Sequence, residues 1–390
     1  MIEDTLRRYA RQDPPPSPLR AADVLVEARR RTRRRGAGAG VAATAATALA
    51  AFGLVAAVRA MGPAPVGPAG PGCVVDVLDL PSGTAGGVTA VGIDPSGRYV
   101  IGLTGQRDAP RAVLWIDDAA AVLPEPFTPQ AVNPSGLVVG FTGPDRHGFE
   151  AQQRPVAYDG TRLLQLPLPG GASGGAAYAV NTHGDVLGTV ARADGTWLAV
   201  RWRTTGGTAI VTTVASASGL GLTDDGIAVG FDQGARRALR WTADGATTAL
   251  PLPRGAESAT ATAAAGEWAA GDVTAPVSDS KGDDTHTAAR WNLRTGAVEA
   301  ITGLSGRRVS ATGVVAGTTG SGAPALWRDG EVRTLPLPGG AAPAGSTLSG
   351  ITADGQTLVG GVETGPNTTA GPVGDPVVSG RTAPVVWRGC

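Results

Sequence analysis

Side chains able to carry chemistry are few and scattered. The three histidines, His147, His183 and His286, fall in different parts of the chain, and none has a second His or Cys at the spacing a zinc site needs. The acidic stretch Asp279-Ser280-Lys281-Gly282-Asp283-Asp284 lacks the ligand spacing and closing Glu of a calcium loop, so it reads as a solvated loop. Asp224-Asp225 reads as a turn. No Gly-x-Ser-x-Gly leads from a strand into a helix, and no phosphate-binding loop is present. The reading is therefore of a chain with no metal, no cofactor and no catalytic constellation. A hydrolase of the glycosidase or lactonase type, its carboxylates converging from several repeats on a central channel, is the alternative that one sequence leaves open.

The elements that must position any site are repeats. Between Ser310 and Pro338 the chain runs S-A-T-G-V-V-A-G, a polar loop, then A-L-W-R-D-G-E-V-R-T-L-P-L-P, and this order of features recurs seven times. The turn glycines are Gly97, Gly136, Gly184, Gly226, Gly266, Gly313 and Gly355, spaced by 39, 48, 42, 40, 47 and 42 residues. Three residues before them stand Asp94, Asn133, Asn181, Thr223, Ala263, Ser310 and Thr352. Asp, Asn, Ser or Thr there bonds the backbone ahead, and Gly in the fourth place accepts positive φ, which predicts a tight hairpin turn. Short apolar runs follow, each read as a buried strand closed by Gly102, Gly140, Gly188, Gly230, Gly271, Gly317 or Gly360. The third strand carries an aromatic: Trp115, Tyr158, Trp202, Trp241, Trp291, Trp327 or Trp387. A fourth ends near Leu-Pro, as at Leu123-Pro124, Leu166-Pro167, Leu250-Pro251 and Leu335-Pro336. Four short strands repeated seven times predict an all-β fold, a seven-bladed β-propeller over residues 73–390.

The seventh unit stops at Trp387-Arg388-Gly389-Cys390 with no fourth strand, whereas Cys73 to Pro81 reads as an orphan fourth strand ending in Leu80-Pro81. The N-terminal strand is expected to complete the last blade. That pairing brings Cys73 and Cys390, the only cysteines, to one join, and predicts a disulfide.

The pattern from Ile351-Thr352-Ala353-Asp354-Gly355 through Gly360 resembles the HAF-type extracellular repeats, which are similar to kelch and WD-like propeller blades. The naming His-Ala-Phe tripeptide is absent, its place taken by Arg111-Ala112-Val113-Leu114-Trp115 and Ala325-Leu326-Trp327. The resemblance implies an exported protein.

Composition agrees with a turn-rich β protein: 59 Gly and 30 Pro, 42% hydrophobic and 17% charged. Charge is uneven. Residues 1–35 hold ten Arg against five Asp or Glu, and residues 60–390 hold 22 Lys or Arg against 28 acids. The large part carries no basic stripe with interleaved aromatics, which speaks against nucleic acid as a partner. Residues 1–35 read as a short helical, basic tail whose Arg29–Arg35 cluster meets anionic headgroups. The run 36–58 is 23 residues without charge; as a helix it is about 34 Å long, enough for a membrane span. Six Arg precede it and Arg59 follows, which places the tail in the cytoplasm and the rest outside. Cleavage of a secretory leader near Val58-Arg59-Ala60 is the alternative. Residues 59–72, alternating Pro and Gly, read as an extended spacer unable to sustain a ladder.

Between the second-strand Gly and the third-strand aromatic the segments 141–154, 272–287 and 361–382 are long, while the hairpin turns hardly vary. Loops on a rigid scaffold are where recognition usually resides. The expected binding rim therefore includes Asp145, Arg146, His147, Asp283, Asp284 and Arg381, with an envelope protein or glycan as partner. The function read from the sequence is a membrane-anchored binding module at the cell envelope.

Overall fold

Each repeat folds as one antiparallel sheet because its hairpin turn reverses the chain and its apolar run cannot bury both faces alone. The computed structural model describes residues 66–68, 72–82, 84, 87–106, 109–144, 150–205, 208–274, 287–339, 341–364 and 382–390. Seven sheets result, six of four strands and one of five. The first strands are Val88–Ile93, Thr128–Val132, Ala172–Val180, Ala217–Leu222, Ser258–Ala265, Ser305–Val309 and Ala342–Ile351. Each touches the first strands of the blades on both sides, so together they ring the axis. This is the expected seven-bladed propeller. The tail 1–35 and the expected span 36–58 lie outside the described residues, among which no helix is long and apolar enough to cross a membrane.

Closure follows the sequence expectation. Val74–Val77 pairs antiparallel with Thr382–Arg388 as the outermost strand of blade 7, in register Val74 to Arg388 and Val77 to Val385. Cys73 and Cys390 are disulfide-bonded, with Cα atoms 4.4 Å apart.

The hairpin turns also form as expected in six blades. Gly97, Gly136, Gly184, Gly226, Gly313 and Gly355 have positive φ, and each donates its N–H to the carbonyl three residues back. The polar side chains there are buried and bond forward: Asp94 accepts from Tyr99 N–H at 2.6 Å, Asn181 from Asp185 N–H at 2.9 Å, Ser310 from Val314 N–H at 3.0 Å. Blade 5 departs from the pattern. Ala265 pairs directly with Trp268 across a two-residue Gly266-Glu267 turn, so Ala263 is a strand residue and not the start of a turn. An Ala has no side-chain acceptor with which to hold the longer loop.

The large aromatics link blades. Trp115, Trp202, Trp291 and Trp387 are fully buried, and their indole N–H groups donate to carbonyls of the preceding blade, Asp79, Pro167, Pro251 and Pro336, at 2.7 to 2.8 Å. This explains the Leu-Pro pairs: Leu166, Leu250 and Leu335 are buried and donate their N–H to the third strand, and the next residue's carbonyl receives the indole. The N-terminal equivalent is thus Leu78-Asp79, because Leu78 N–H donates to Pro384 and Leu78 is buried. The expected Leu80-Pro81 is two residues too late; Leu80 is 49% exposed.

Two further expectations are corrected. The second-strand glycines do not close their strands: Tyr99–Gln106 runs past Gly102 and Thr357–Glu363 past Gly360. They are required by close approach, since a Cβ at Gly140 would lie 2.0 Å from Thr128 O and one at Gly271 1.8 Å from Thr260 O. Nor is 59–72 wholly a free spacer. Val66–Pro68 pairs in parallel with Glu331–Thr334 as a fifth strand on blade 6. Pro68 is tolerated because an edge strand has one side with no ladder to serve.

Arginines from the third strands tie blades together at the turn end. Arg201 donates to Gly226 O and Arg328 to Gly355 O, each at 2.9 Å. Arg290 donates to Gly313 O at 2.9 Å and pairs with Glu299 at 2.8 Å, while its guanidinium lies 4.3 Å from the Trp268 ring and 4.2 Å from that of Trp327. A planar cation between two indoles uses stacking and fork geometry that an ammonium lacks. Arg290→Lys is expected to cost about 2 kcal/mol. The check is a shift of the urea midpoint at unchanged slope; a midpoint within error of wild type refutes the role given to the sandwich.

Candidate functional site

Antiparallel alternation puts the turns between first and second strands at one end of the propeller, while residues 145–149, 275–286 and 365–381 of the long segments lie outside the described residues. Of the expected rim, Asp145, Arg146, His147, Asp283, Asp284 and Arg381 all lie outside the described residues. His183 is an exposed turn residue whose backbone N–H donates to Asn181 Oδ1 at 3.1 Å. Among the described residues no group of three or more His, Cys, Asp or Glu is placed to hold a metal.

What the fold does assemble is a cavity on the axis, of about 200 Å³ and lined by all seven blades. Its wall is set by a feature of every first strand. One residue after a bulge, where two residues face one on the partner, stand Gly92, Ala131, Ala179, Gly221, Ala263, Arg308 and Gly350. All seven line the cavity. Small residues belong here because neighbouring first strands converge: a Cβ at Gly221 would come within 2.7 Å of Ala264 N, and one at Gly350 within 2.8 Å of Ile93 N. Arg308 breaks that rule. The residues passed over at the bulges add Gln130, Tyr178, Leu220, Thr262 and Ser349 to the same wall.

Arg308 is fixed to blade 7. Its Nε donates to Ser349 O at 2.5 Å and its Nη1 to Arg307 O at 2.9 Å. Among the described residues no carboxylate pairs with it and Nη2 has no partner. Burial, and after it the charge of neighbouring Arg307, pushes its pKa down to about 10, so it remains a cation at neutral pH. The carboxylate of the wall, Asp224, accepts Thr182 N–H from the adjacent turn at 2.9 Å.

The turn end around the cavity is stiff. Asn133 Nδ2 donates to Asn181 O at 2.9 Å and Asn181 Nδ2 to Thr223 O at 3.3 Å, while Ala311 N–H reaches Ala353 O and Ala353 N–H reaches Pro95 O. These bonds run from blade to blade, so the wall is held in place before any ligand arrives.

Sequence reading missed Arg308. The signal was present once the bulge register was known: aligned on the bulge, six positions are Gly or Ala and the seventh is Arg. Aligned on the turn glycine alone, blade 5 falls out of register, with Ala261 standing in place of Ala263, yet Arg308 is still the one residue of the seven that is neither Gly nor Ala.

No family model matches this sequence, and no curated protein matches it. Solved structures share the fold. Virginiamycin B lyase from Staphylococcus aureus superposes with a TM-score of 0.50 at 13% identity, over 81% of this chain and 99% of that one. A streptogramin B lyase gives 0.49 at 12%, over 80% and 97%. A calcium-binding regucalcin from Agrobacterium tumefaciens gives 0.38 at 13%, over 83% and 97%. The likeness at a TM-score of 0.50 and 13% identity shows the fold alone and nothing of its chemistry.

Proposed function

We propose that this protein is a membrane-anchored, extracytoplasmic binding module at the cell envelope, built on a propeller similar to the HAF-type repeats. Residues 1–35 lie in the cytoplasm with Arg29–Arg35 against anionic headgroups, 36–58 cross the bilayer, and 73–390 hold a ligand outside. The observation that carries the binding reading is the channel wall. It is Gly or Ala at six positions and a guanidinium at the seventh, and its one carboxylate among the described residues already accepts a backbone N–H. Such a wall shapes and neutralises a guest; the paired carboxylates of a two-carboxylate glycosidase are not what its described residues present. The long-loop rim with Asp145, Arg146, His147, Asp283, Asp284 and Arg381 is proposed as the second contact, for an envelope protein or glycan.

Supporting the placement are the arginine cluster ahead of an uncharged run and a disulfide of a kind that persists in oxidising compartments. A reporter that matures only in oxidising space, fused after Cys390, is expected to be active. Silence there, with activity of a cytosolic reporter at the same position, reverses the topology.

A further inference from the structure

The cavity has two unlike poles. On the wall of blades 6 and 7 stands Arg308, with the exposed Arg307 beside it. Across the axis, on blades 3 and 4, stand Tyr178 and Leu220; Gln130 and Thr262 lie between the poles and Ser349 beside Arg308 on blade 7, all three with hydrogen-bonding tips. A guest that satisfies this wall is charged at one end and apolar at the other.

Of the arginines tied into the blades some are matched by a carboxylate and others, such as Arg328, are held by a backbone carbonyl; Arg308 is of the second kind and lines the axial cavity. Arg201 is paired with Asp185 at 2.5 Å, Arg290 with Glu299 at 2.8 Å and Arg388 with Asp76 at 3.1 Å. Among the described residues Arg308 has only two backbone carbonyls as partners, and it lines the cavity with Nη2 unpaired. Arg308 is half-buried, and drawing a cation even part-way out of bulk water without a counter-charge is costly. Where the chain tolerates that cost at one position of a ring that is otherwise Gly and Ala, an oxyanion supplied by a ligand balances it, through charge-assisted bonds that are among the stronger kinds. The two carbonyls also hold the fork still, so little side-chain freedom is lost on binding.

Resting on the reading of the propeller as a binding module, we infer that the axial cavity is a receptor site for a small amphipathic oxyanion, its acidic group on Arg308 and its apolar body toward Tyr178 and Leu220. Neutral analogues of the same shape are discriminated against because they leave the guanidinium unpaired. Carboxylate and phosphate share the required chemistry, and the wall separates acid from amide before it separates one acid from the other.

The test uses the full-length protein in detergent micelles and isothermal titration with benzoate, phenyl phosphate and benzamide. Benzoate or phenyl phosphate is expected to bind about tenfold or more tightly than benzamide. Arg308→Gln is expected to remove that preference while leaving benzamide binding unchanged, and Arg308→Lys to restore part of it. Whichever acid binds more tightly identifies the source of the oxyanion. Should Arg308→Gln fail to fold, Leu220→Trp at the opposite pole fills the cavity and is expected to abolish binding of all three probes. Equal binding of benzoate and benzamide, lost in Leu220→Trp, overturns the oxyanion assignment and keeps the binding module. Binding of none of the three overturns the axial site itself, and with it the wall as the support for the module.

Discussion

Gly317→Ala is expected to destabilise the propeller by about 3 kcal/mol or more, although it adds one methyl group to a β-strand where alanine is ordinarily acceptable. The added Cβ would lie 1.7 Å from Ser305 O and 2.8 Å from Ser305 C, both backbone atoms of the first strand. No rotamer change relieves a clash with a carbonyl, so the first strand of blade 6 must move by more than an ångström. That strand carries the bulge and Arg308, and it is braced by Asp272, which accepts from Ser305 Oγ and Gly306 N–H at 3.0 and 2.8 Å. The same relation holds at Gly230, 1.7 Å from Ser218 O, so Gly230→Ala is expected to behave alike. Gly170→Ala is the control. Nothing lies within 4 Å of its Cβ, and its stability is expected within about 0.5 kcal/mol of wild type. Urea unfolding at constant slope measures all three; equal midpoints for Gly317→Ala and Gly170→Ala would overturn the close-approach argument.

Removing the Cys73–Cys390 bond is expected to have the other large effect. The bond joins residues 317 apart. Closing a loop of that size restricts the unfolded chain by about 5 kcal/mol in the entropic account, an upper value because unfolded chains keep residual structure. The strand it pins has little else to hold it. Val74 is 56% and Val77 53% exposed, and Leu78 is the one residue from 74 to 80 that is buried. Four residue pairs with the third strand of blade 7, the Leu78 N–H bond to Pro384 O, an Asp76–Arg388 ion pair and the Trp115 indole bond to Asp79 are its other attachments. Because this strand is the seam of the ring, its release unbinds blade 7 from blade 1. The Cys73→Ser/Cys390→Ser protein is therefore expected to unfold at markedly lower urea, and wild type treated with reductant is expected to fall to the same midpoint. Mass spectrometry of non-reduced protein should show no free thiol. A double variant as stable as wild type sinks the seam argument.

The first of these effects shows where local pattern misleads. A glycine after three apolar residues reads as the end of a strand, and in this fold it is the middle of one. The reading failed because glycine serves two needs: chain freedom in turns such as Gly97, and absence of a Cβ where backbones touch, as at Gly317. Both are written with the same letter. A similar ambiguity displaced the N-terminal Leu-Pro by two residues. Leu78-Asp79 occupies the place of Leu166-Pro167, and only the carbonyl offered to the next indole identifies it.

The amino-acid sequence by itself determined the blade count, the order of strands within a blade, the six regular turns, the closing strand and the cysteine pair. These depend on contacts between residues near one another in a repeat, or on one repeat lacking what the chain start supplies, and periodicity records both. Only the tertiary structure decided what faces the axis. A bulge shifts the first strand by one residue against its partner and so changes which side chains turn inward, and it shows itself in the pairing register alone. That shift puts Arg308 among six small residues drawn from positions up to 216 residues away. No window of sequence contains that ring, because it exists only once seven sheets have closed around a common axis and their first strands have been packed to within a methyl group of one another.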